Sequence, residues 1–216
     1  MSVLLVAATA KEIAAFLDHY RKEDDQQETD ILVTGIGLTA ATYALVKQIG
    51  LKKPDLIIQA GIAGCFDGKI TLGTVVGVGQ DTIADQMVIE NKQLKTMFDL
   101  GLAKPNEHPF HTGWLKNPYK DLLKKTKLKI VNGISVNNIS ADKKIIGLYQ
   151  TKFNATVESM EGAALHYVCL MEKIPFVQIR SISNYIVERN KKKWKINEAI
   201  TNLNKELVRF TTNLQP

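Results

Sequence analysis

Val157-Glu158-Ser159-Met160-Glu161-Gly162-Ala163-Ala164-Leu165 follows a polar turn and opens a helical pattern, in which Ala164, Leu165, Val168 and Met171 recur at helical spacing. Glu161 is therefore expected in the first turn of that helix, beside residues small enough for another group to approach closely. A carboxylate there is favoured by the helix dipole and by the free amides of the first turn. An isolated Glu at a helix start is ordinarily a capping acid. Whether this one does more depends on what the rest of the chain brings to it.

Outward from this stretch, strand and helix patterns alternate. Downstream, Phe176 to Ile182 reads as a strand closing in Ser183-Asn184, and a last helix covers roughly Ile196 to Asn213. Upstream, Lys129 to Val136 alternates as a strand ending in Asn137-Asn138-Ile139-Ser140, with a helix around Asp142 to Lys152 after it. Val3 to Ala8 is a continuous apolar run, the mark of a strand buried on both faces. Thr9 can cap the helix that follows, which carries Ile13, Phe16 and Leu17, with Glu12 on its first turn. Ile31 to Thr34 is the next strand, and Gly35-Ile36-Gly37 turns it into an Ala-rich helix. A lone G-x-G is weak evidence for a dinucleotide, but such a turn lets backbone amides face an anion or hydroxyl. Asp55 to Ala60 is a third apolar strand, and Gly61-Ile62-Ala63-Gly64 just past it implies close backbone approach. Val75 to Val78 is a further strand running on towards Asp81 to Asp85. Arg21 to Asp30 reads as a surface hairpin or loop. Asn91 to Lys127, with Pro105, Pro109 and Pro118, reads as a long loop or short helices. The alternation predicts one α/β domain over residues 1–216 with a largely parallel sheet.

The 216 residues carry a net charge of +6, and 45% are hydrophobic, enough for a full core. The lysines concentrate between Lys116 and Lys129 and at Lys191-Lys192-Lys193. Neither run is interleaved with aromatics as a base-stacking platform is, so solvated faces are expected and no nucleic-acid partner. Cys65 and Cys169 lie far apart in apolar contexts without metal-ligand spacing, so no metal is expected. Nothing approaches transmembrane length and the N-terminus lacks a basic leader, so no membrane partner and a cytoplasmic location are expected.

In parallel sheets ligands bind outside the carboxyl ends of the strands. Glu12, Gly35 to Gly37, Gly61 to Gly64, Ser135 to Ile139 and Asn184 all lie at such ends, and Glu161 can join them. One site holding two carboxylates, a carboxamide and several glycine turns is predicted, with Gly61, Asn137 and Ile139 on its walls.

Gly61-Ile62-Ala63-Gly64, Met160-Glu161-Gly162-Ala163-Ala164 and Arg180-Ser181-Ile182-Ser183-Asn184, in this order and spacing, resemble the nucleoside phosphorylase and nucleosidase superfamily. Within it the chain is most similar to the futalosine hydrolases of the alternative menaquinone pathway. The shared residues are Val136-Asn137, Glu158 to Ala164, and Ser183-Asn184 followed by a charged segment and Trp194. The resemblance implies a mostly parallel, mixed central sheet flanked by helices, no cofactor, and a homodimer or higher homo-oligomer. It also implies roles. Glu161 hydrogen-bonds the ribose hydroxyls, Met160 packs against the sugar, Glu12 holds and deprotonates the attacking water, and Arg180 helps orient that water. Asn184 contacts the purine at N7, where adenine-cleaving relatives have Asp. Ile62 stands where those relatives place a serine near the water, and Ser159 where most have an acid.

Cleaving an N-glycosidic bond leaves positive charge on the ribosyl ring and negative charge on the departing purine, and groups that favour this separation lower the barrier. Asn184 can accept from N7–H of a 6-oxopurine and donate to O6, which points to hypoxanthine as leaving group. Phosphorylases of the superfamily hold phosphate with an arginine in the first strand-to-helix turn. Glu12 occupies that turn here, so water is the expected nucleophile, acting on a small purine nucleoside, futalosine. A methylthioadenosine/S-adenosylhomocysteine nucleosidase is the rival enzyme, and a catalytically inactive nucleoside-binding protein the rival from another class. His108, His111, Phe110 and Trp114 are placed in the loop, with a site mouth as one possible location. Trp194 is expected to pack the last helix or cover substrate.

Overall fold

A computed structural model describes residues 1–21, 29–139, 141–187 and 190–214. The first strand, β1 (Val3–Ala7), is wholly buried, as its unbroken apolar run requires. Its side chains alternate between two helical layers. Val3, Leu5 and Ala7 pack with Phe16 of α1 (Ala14–Tyr20) and with Leu203, Leu207 and Phe210 of α6 (Ile196–Thr212). Leu4 and Val6 pack with Leu45 and Ile49 of α2 (Leu38–Leu51) and with Leu165, Val168 and Cys169 of α5 (Gly162–Glu172). Each large apolar side chain so buried contributes roughly 1.5–3 kcal/mol, and the two layers clamp the sheet from both faces.

β1 lies between β2 (Thr29–Val33) and β3 (Leu56–Cys65), parallel to both. β3 also pairs in parallel with β10 (Phe176–Tyr185). β10 runs antiparallel to β4 (Val75–Asp81), which is parallel to β8 (Lys129–Ser135), itself parallel to β9 (Val157–Ser159). β9 returns antiparallel to the far end of β3. The sheet is thus mostly parallel, mixed and flanked by helices, as expected, and it closes into a ring through β3, β10, β4, β8 and β9. Ala63, Cys65, Val76, Val78, Val131, Val157 and Ile182 fill the ring.

Four expectations are corrected. Gly61 to Gly64 do not lie past their strand but inside β3, whose ten residues are long enough to serve β1 first and β9 afterwards. Val157 to Ser159 is a short strand rather than a helix approach. The segment Asn91 to Lys127 holds the expected short helix, α3 (Lys120–Lys125), but also unexpected strands: β6 (Gln93–Thr96), which forms a hairpin with β5 (Met87–Glu90) just before it, and β7 (Leu115–Lys116). Asn91 and Lys92 both take positive φ at the hairpin turn, as a two-residue turn of the favoured hand demands, but Asn-Lys lacks the glycine that makes such turns legible. Thr29 and Asp30 belong to β2; residues 22–28 of the expected hairpin or loop lie outside the described residues, as does Ser140. The last helix and the helix α4 (Lys143–Phe153) stand as read. No helix among the described residues is long and apolar enough to cross a membrane.

Candidate active site

β3 changes partner in its middle: β1 follows it as far as Ala60, and β9 joins it at Gly64. The gap leaves the Ile62 amide without a strand carbonyl, and Glu12 takes it, its Oε1 accepting from Ile62 N at 3.1 Å. Oε2 of Glu12 accepts from the amide and hydroxyl of Thr9 at 3.0 and 2.9 Å. Glu12 sits in a 3₁₀ turn, Ala10–Ile13, ahead of α1. Asn204 of α6 fastens this turn, donating to the Glu12 carbonyl at 2.8 Å and accepting from Phe16 N at 2.7 Å. Three donors, two from Thr9 just past β1 and one from the middle of β3, thus orient one buried carboxylate.

Glu161 is not in the first turn of α5 but at its N-cap, and its side chain does not cap that helix. Two hydroxyls do so instead: Ser159 Oγ accepts from Gly162 N at 3.2 Å and Ser135 Oγ from Ala163 N at 2.8 Å. The freed carboxylate reaches across the sheet. Its Oε1 accepts from the Gly37 amide at 3.0 Å, and its Oε2 lies 3.7 Å from Arg180 Nη1. The Gly35-Ile36-Gly37 turn therefore does face an anion, one supplied by the chain itself. Gly35 and Gly37 have φ of +82° and +94° there, conformations that side chains oppose.

Arg180 is 1% exposed. Its Nε donates to Gln178 Oε1 at 3.1 Å and its Nη2 to Gln59 Oε1 at 2.9 Å. Gly61 makes room for it: a Cβ there would stand 2.3 Å from Nη1 and 3.1 Å from Glu12 Oε1. Behind it, Asp81 accepts from Gln178 Nε2 at 3.0 Å and Ser135 Oγ at 2.9 Å. Burial pushes Asp81 up to about 6. The absent Cβ of Gly162 would meet Asp81 Oδ2 at 2.2 Å, so α5 can start here only with glycine. This Asp81–Gln178–Arg180 chain was not read from the sequence. A buried polar residue inside an apolar strand was its only signal.

Glu12, Ile62, Ile139, Ser159, Met160, Glu161 and Asn184 line a single cavity of about 310 Å³, a volume suited to a small molecule. Gly61 and Arg180 stand directly behind its wall. Asn137 is exposed and outside the lining; its amide donates to Asp85 Oδ2 at 2.6 Å. Asn184 sits at an irregularity of β10, where its pairing with β3 shifts. Ser183 Oγ donates to its Oδ1 at 2.8 Å, and its Nδ2 donates to Tyr185 O at 3.3 Å.

Glu158, quoted in the sequence but assigned nothing, also lines the cavity. It is 6% exposed, its Oε2 is without a hydrogen-bond partner among the described residues, and burial with the nearby Asp85 charge pushes it up to about 7. Trp194 lines the mouth beside Ile196 and Ile200. Lys11, also at the mouth, is exposed. His108 and His111 do not line this cavity; both are exposed, and His111 Nδ1 lies 3.0 Å from Lys116 Nζ. Phe110 packs on Phe98 and Tyr167, and Trp114 on Phe153, outside the cavity. His166 is fully buried, donates from Nδ1 to Leu115 O at 2.8 Å, and is pushed down to about 4 by burial. It is a packed residue. Three carboxyl groups, Glu12, Asp81 and Glu161, thus stand around one buried arginine, an acidic surplus that favours a cationic ligand and disfavours an anionic one. Among the described residues no group of three or more His, Cys, Asp or Glu is arranged to hold a metal ion.

The family model described as the phosphorylase superfamily matches residues 4–212. The futalosine hydrolase of Thermus thermophilus is 26% identical over 182 residues, spanning 83% of this chain and 79% of its own. The 5′-methylthioadenosine/S-adenosylhomocysteine nucleosidase of Colwellia psychrerythraea is 27% identical over 198 residues, spanning 83% and 76%. The crystal structure of the corresponding Helicobacter pylori nucleosidase with butyl-thio-DADMe-Immucillin-A has a TM-score of 0.82 at 16% identity, over 98% of both chains. That last likeness is one of fold.

Proposed function

The chain belongs to the phosphorylase superfamily, and from that premise we propose that it is a nucleosidase that hydrolyses the N-glycosidic bond of futalosine, releasing hypoxanthine and dehypoxanthine futalosine in menaquinone biosynthesis. The observation that carries the reading is the Glu12 carboxylate, held by Thr9 and the Ile62 amide in the same cavity as Glu161 and Asn184.

Glu12 removes a proton from the water that adds at C1′. Glu161 binds the ribose diol and sets negative charge beside the cationic ribosyl ring, while Met160 packs on the sugar. Arg180 acts from behind the wall, keeping Glu161 oriented and, through it, the water. Asn184 accepts from N7–H of the departing purine and donates to O6; the proton comes from solvent, because a carboxamide has none to give. The carboxylate surplus supports water over phosphate as nucleophile. The site works without metal or organic cofactor. A homodimer or higher homo-oligomer belongs to the same proposal, supported by exposed Ile36, Tyr43 and Val46 on and before α2; sedimentation velocity tests it.

The similarity to nucleosidases acting on methylthioadenosine favours that substrate as a second reading. Incubation with futalosine, inosine and methylthioadenosine in phosphate-free buffer, with chromatography of the released base, separates the two. Hypoxanthine from futalosine is the expected main product. Adenine from methylthioadenosine as main product overturns the futalosine reading, and no base from any of the three overturns catalysis itself.

A further inference from the structure

Three neighbouring strands bring one residue each to the same level of the cavity wall. Glu158 of β9 is in register with Gly64 of β3, and Gly64 with Asn184 of β10. All three line the cavity. Gly64 is closely approached, since a Cβ on it would stand 2.7 Å from Ile186 Cγ1 and 3.3 Å from Asn184 Nδ2. The result is a slot whose floor is the Ile186 side chain packed over Gly64, with a carboxyl at one end and a carboxamide at the other. Adjacent strands are about 4.8 Å apart, so the Cα atoms of Glu158 and Asn184 are separated by roughly 10 Å. That span admits one flat heterocycle hydrogen-bonded at both ends.

One oxygen of that carboxyl is open. Glu158 is more than nine-tenths buried, and among the described residues no group bonds its Oε2. Leaving a buried polar atom unpaired is costly, so a ligand that supplies the missing donor gains in affinity. The terminal carboxyl torsion is soft, so either oxygen can turn to the slot. Asn184 suits the N7–H and O6 of a 6-oxopurine. The edge next to O6 is N1, which carries a hydrogen in a 6-oxopurine and a bare lone pair in a 6-aminopurine.

We propose that Glu158 is a specificity-determining residue of the base subsite, its carboxylate accepting from N1–H of a 6-oxopurine while Asn184 reads N7 and O6. A carboxylate only accepts, so it welcomes N1–H and opposes the lone pair of a 6-aminopurine. Burial and the Asp85 charge favour a protonated carboxyl in the empty site; because its O–H can donate to a bare N1, the preference for N1–H belongs to the ionised form, which predominates above about pH 7. The inference deepens the proposed reaction and rests on its reading of Asn184.

The test is calorimetric binding of free hypoxanthine and free adenine at about pH 8, where the carboxylate predominates, to wild type, Glu158→Val and Glu158→Gln. Glu158→Val is expected to weaken hypoxanthine about 10- to 100-fold while changing adenine by less than about threefold. Glu158→Gln is the near-isosteric control for folding. Its amide oxygen still accepts from N1–H and its NH₂ can donate to a bare N1, so hypoxanthine falls only a few-fold and adenine gains. Equal losses of both bases in both variants would falsify the proposal and leave Glu158 a packing residue. Product binding is read without turnover, so an inactive wild type that still prefers hypoxanthine through Glu158 overturns the hydrolase and keeps the subsite. An active wild type whose base preference ignores both substitutions does the reverse.

Discussion

Glu161 Oε1 accepts a 3.0 Å hydrogen bond from the Gly37 amide, so a carboxylate at the N-cap of α5 is held by the turn that starts α2. Two loops more than a hundred residues apart in sequence are thereby locked into one wall of the cavity. The bond depends on Gly37 keeping φ +94° and ψ 163°, a region essentially reserved for glycine.

Gly37→Ala is therefore expected to cost about 1–3 kcal/mol of stability from backbone strain alone. Space is not the problem, because a Cβ would find its nearest neighbour, Asn137 Oδ1, at 3.7 Å. If the turn relaxes, Glu161 loses its amide and KM for the nucleoside rises. Urea unfolding and steady-state kinetics measure the two effects; an unchanged KM at reduced stability would mean that Glu161 stays in place without Gly37.

Glu12→Gln removes the base but keeps much of the hydrogen-bonding shape. Turnover should fall about 10²- to 10⁴-fold, the usual worth of general base catalysis, while nucleoside binding changes by only a few-fold. Single-turnover assays with a separate binding titration decide it. Parallel losses in binding and turnover would make Glu12 a substrate-holding group.

Asn184→Asp gives the purine-facing position a group that can carry a proton to N7. The ratio of adenine-releasing to hypoxanthine-releasing kcat/KM should rise by on the order of tenfold or more, read with nucleosides sharing one 5′ group. A ratio that stays put would show that Asn184 does not discriminate the base.

Glu158 is held up to about 7 from an ordinary 4.5, first by burial and then by Asp85. Below pH 4.5 the carboxyl is protonated folded or unfolded. Between 4.5 and about 7 the unfolded chain releases the proton while the folded chain keeps it, so stability is lost as pH rises, and the loss is complete above about 7. Glu158→Gln lacks this loss. Relative to wild type it should gain up to about 3 kcal/mol between pH 4.5 and 8, measured by urea unfolding of both proteins at each pH. A constant gap across that range would show that the fold places no penalty on the ionised carboxylate.

Legibility divides along physical lines. The buried strand Val3 to Ala8, the turn at Gly35 to Gly37 and the helix from Ile196 were readable because apolar runs, glycine turns and helical spacing are short-range signals. So was the gathering of Glu12, Glu161 and Asn184, which followed from strand ends sharing one edge of a parallel sheet. The hairpin Met87 to Thr96 escaped because its turn, Asn91-Lys92, takes the required φ without glycine. Glu158 escaped because a three-residue strand is too short to show which way a side chain faces.

By itself, the sequence determined the order of the long buried strands and the main helices, the placing of Glu12 and the Gly35 to Gly37 turn just past strand ends, and the buried character of the sheet, because these express free energies settled within a few residues. Only the tertiary structure decided that Ser135 and Ser159 cap α5 and release Glu161 to Gly37, that β3 leaves the Ile62 amide to Glu12, and that Glu158 shares a slot with Asn184. Those assignments depend on which strands pair and where one partner gives way to another. A backbone donor left open by such a change must be paired, and the side chain that pairs it comes from wherever the fold has brought one within reach.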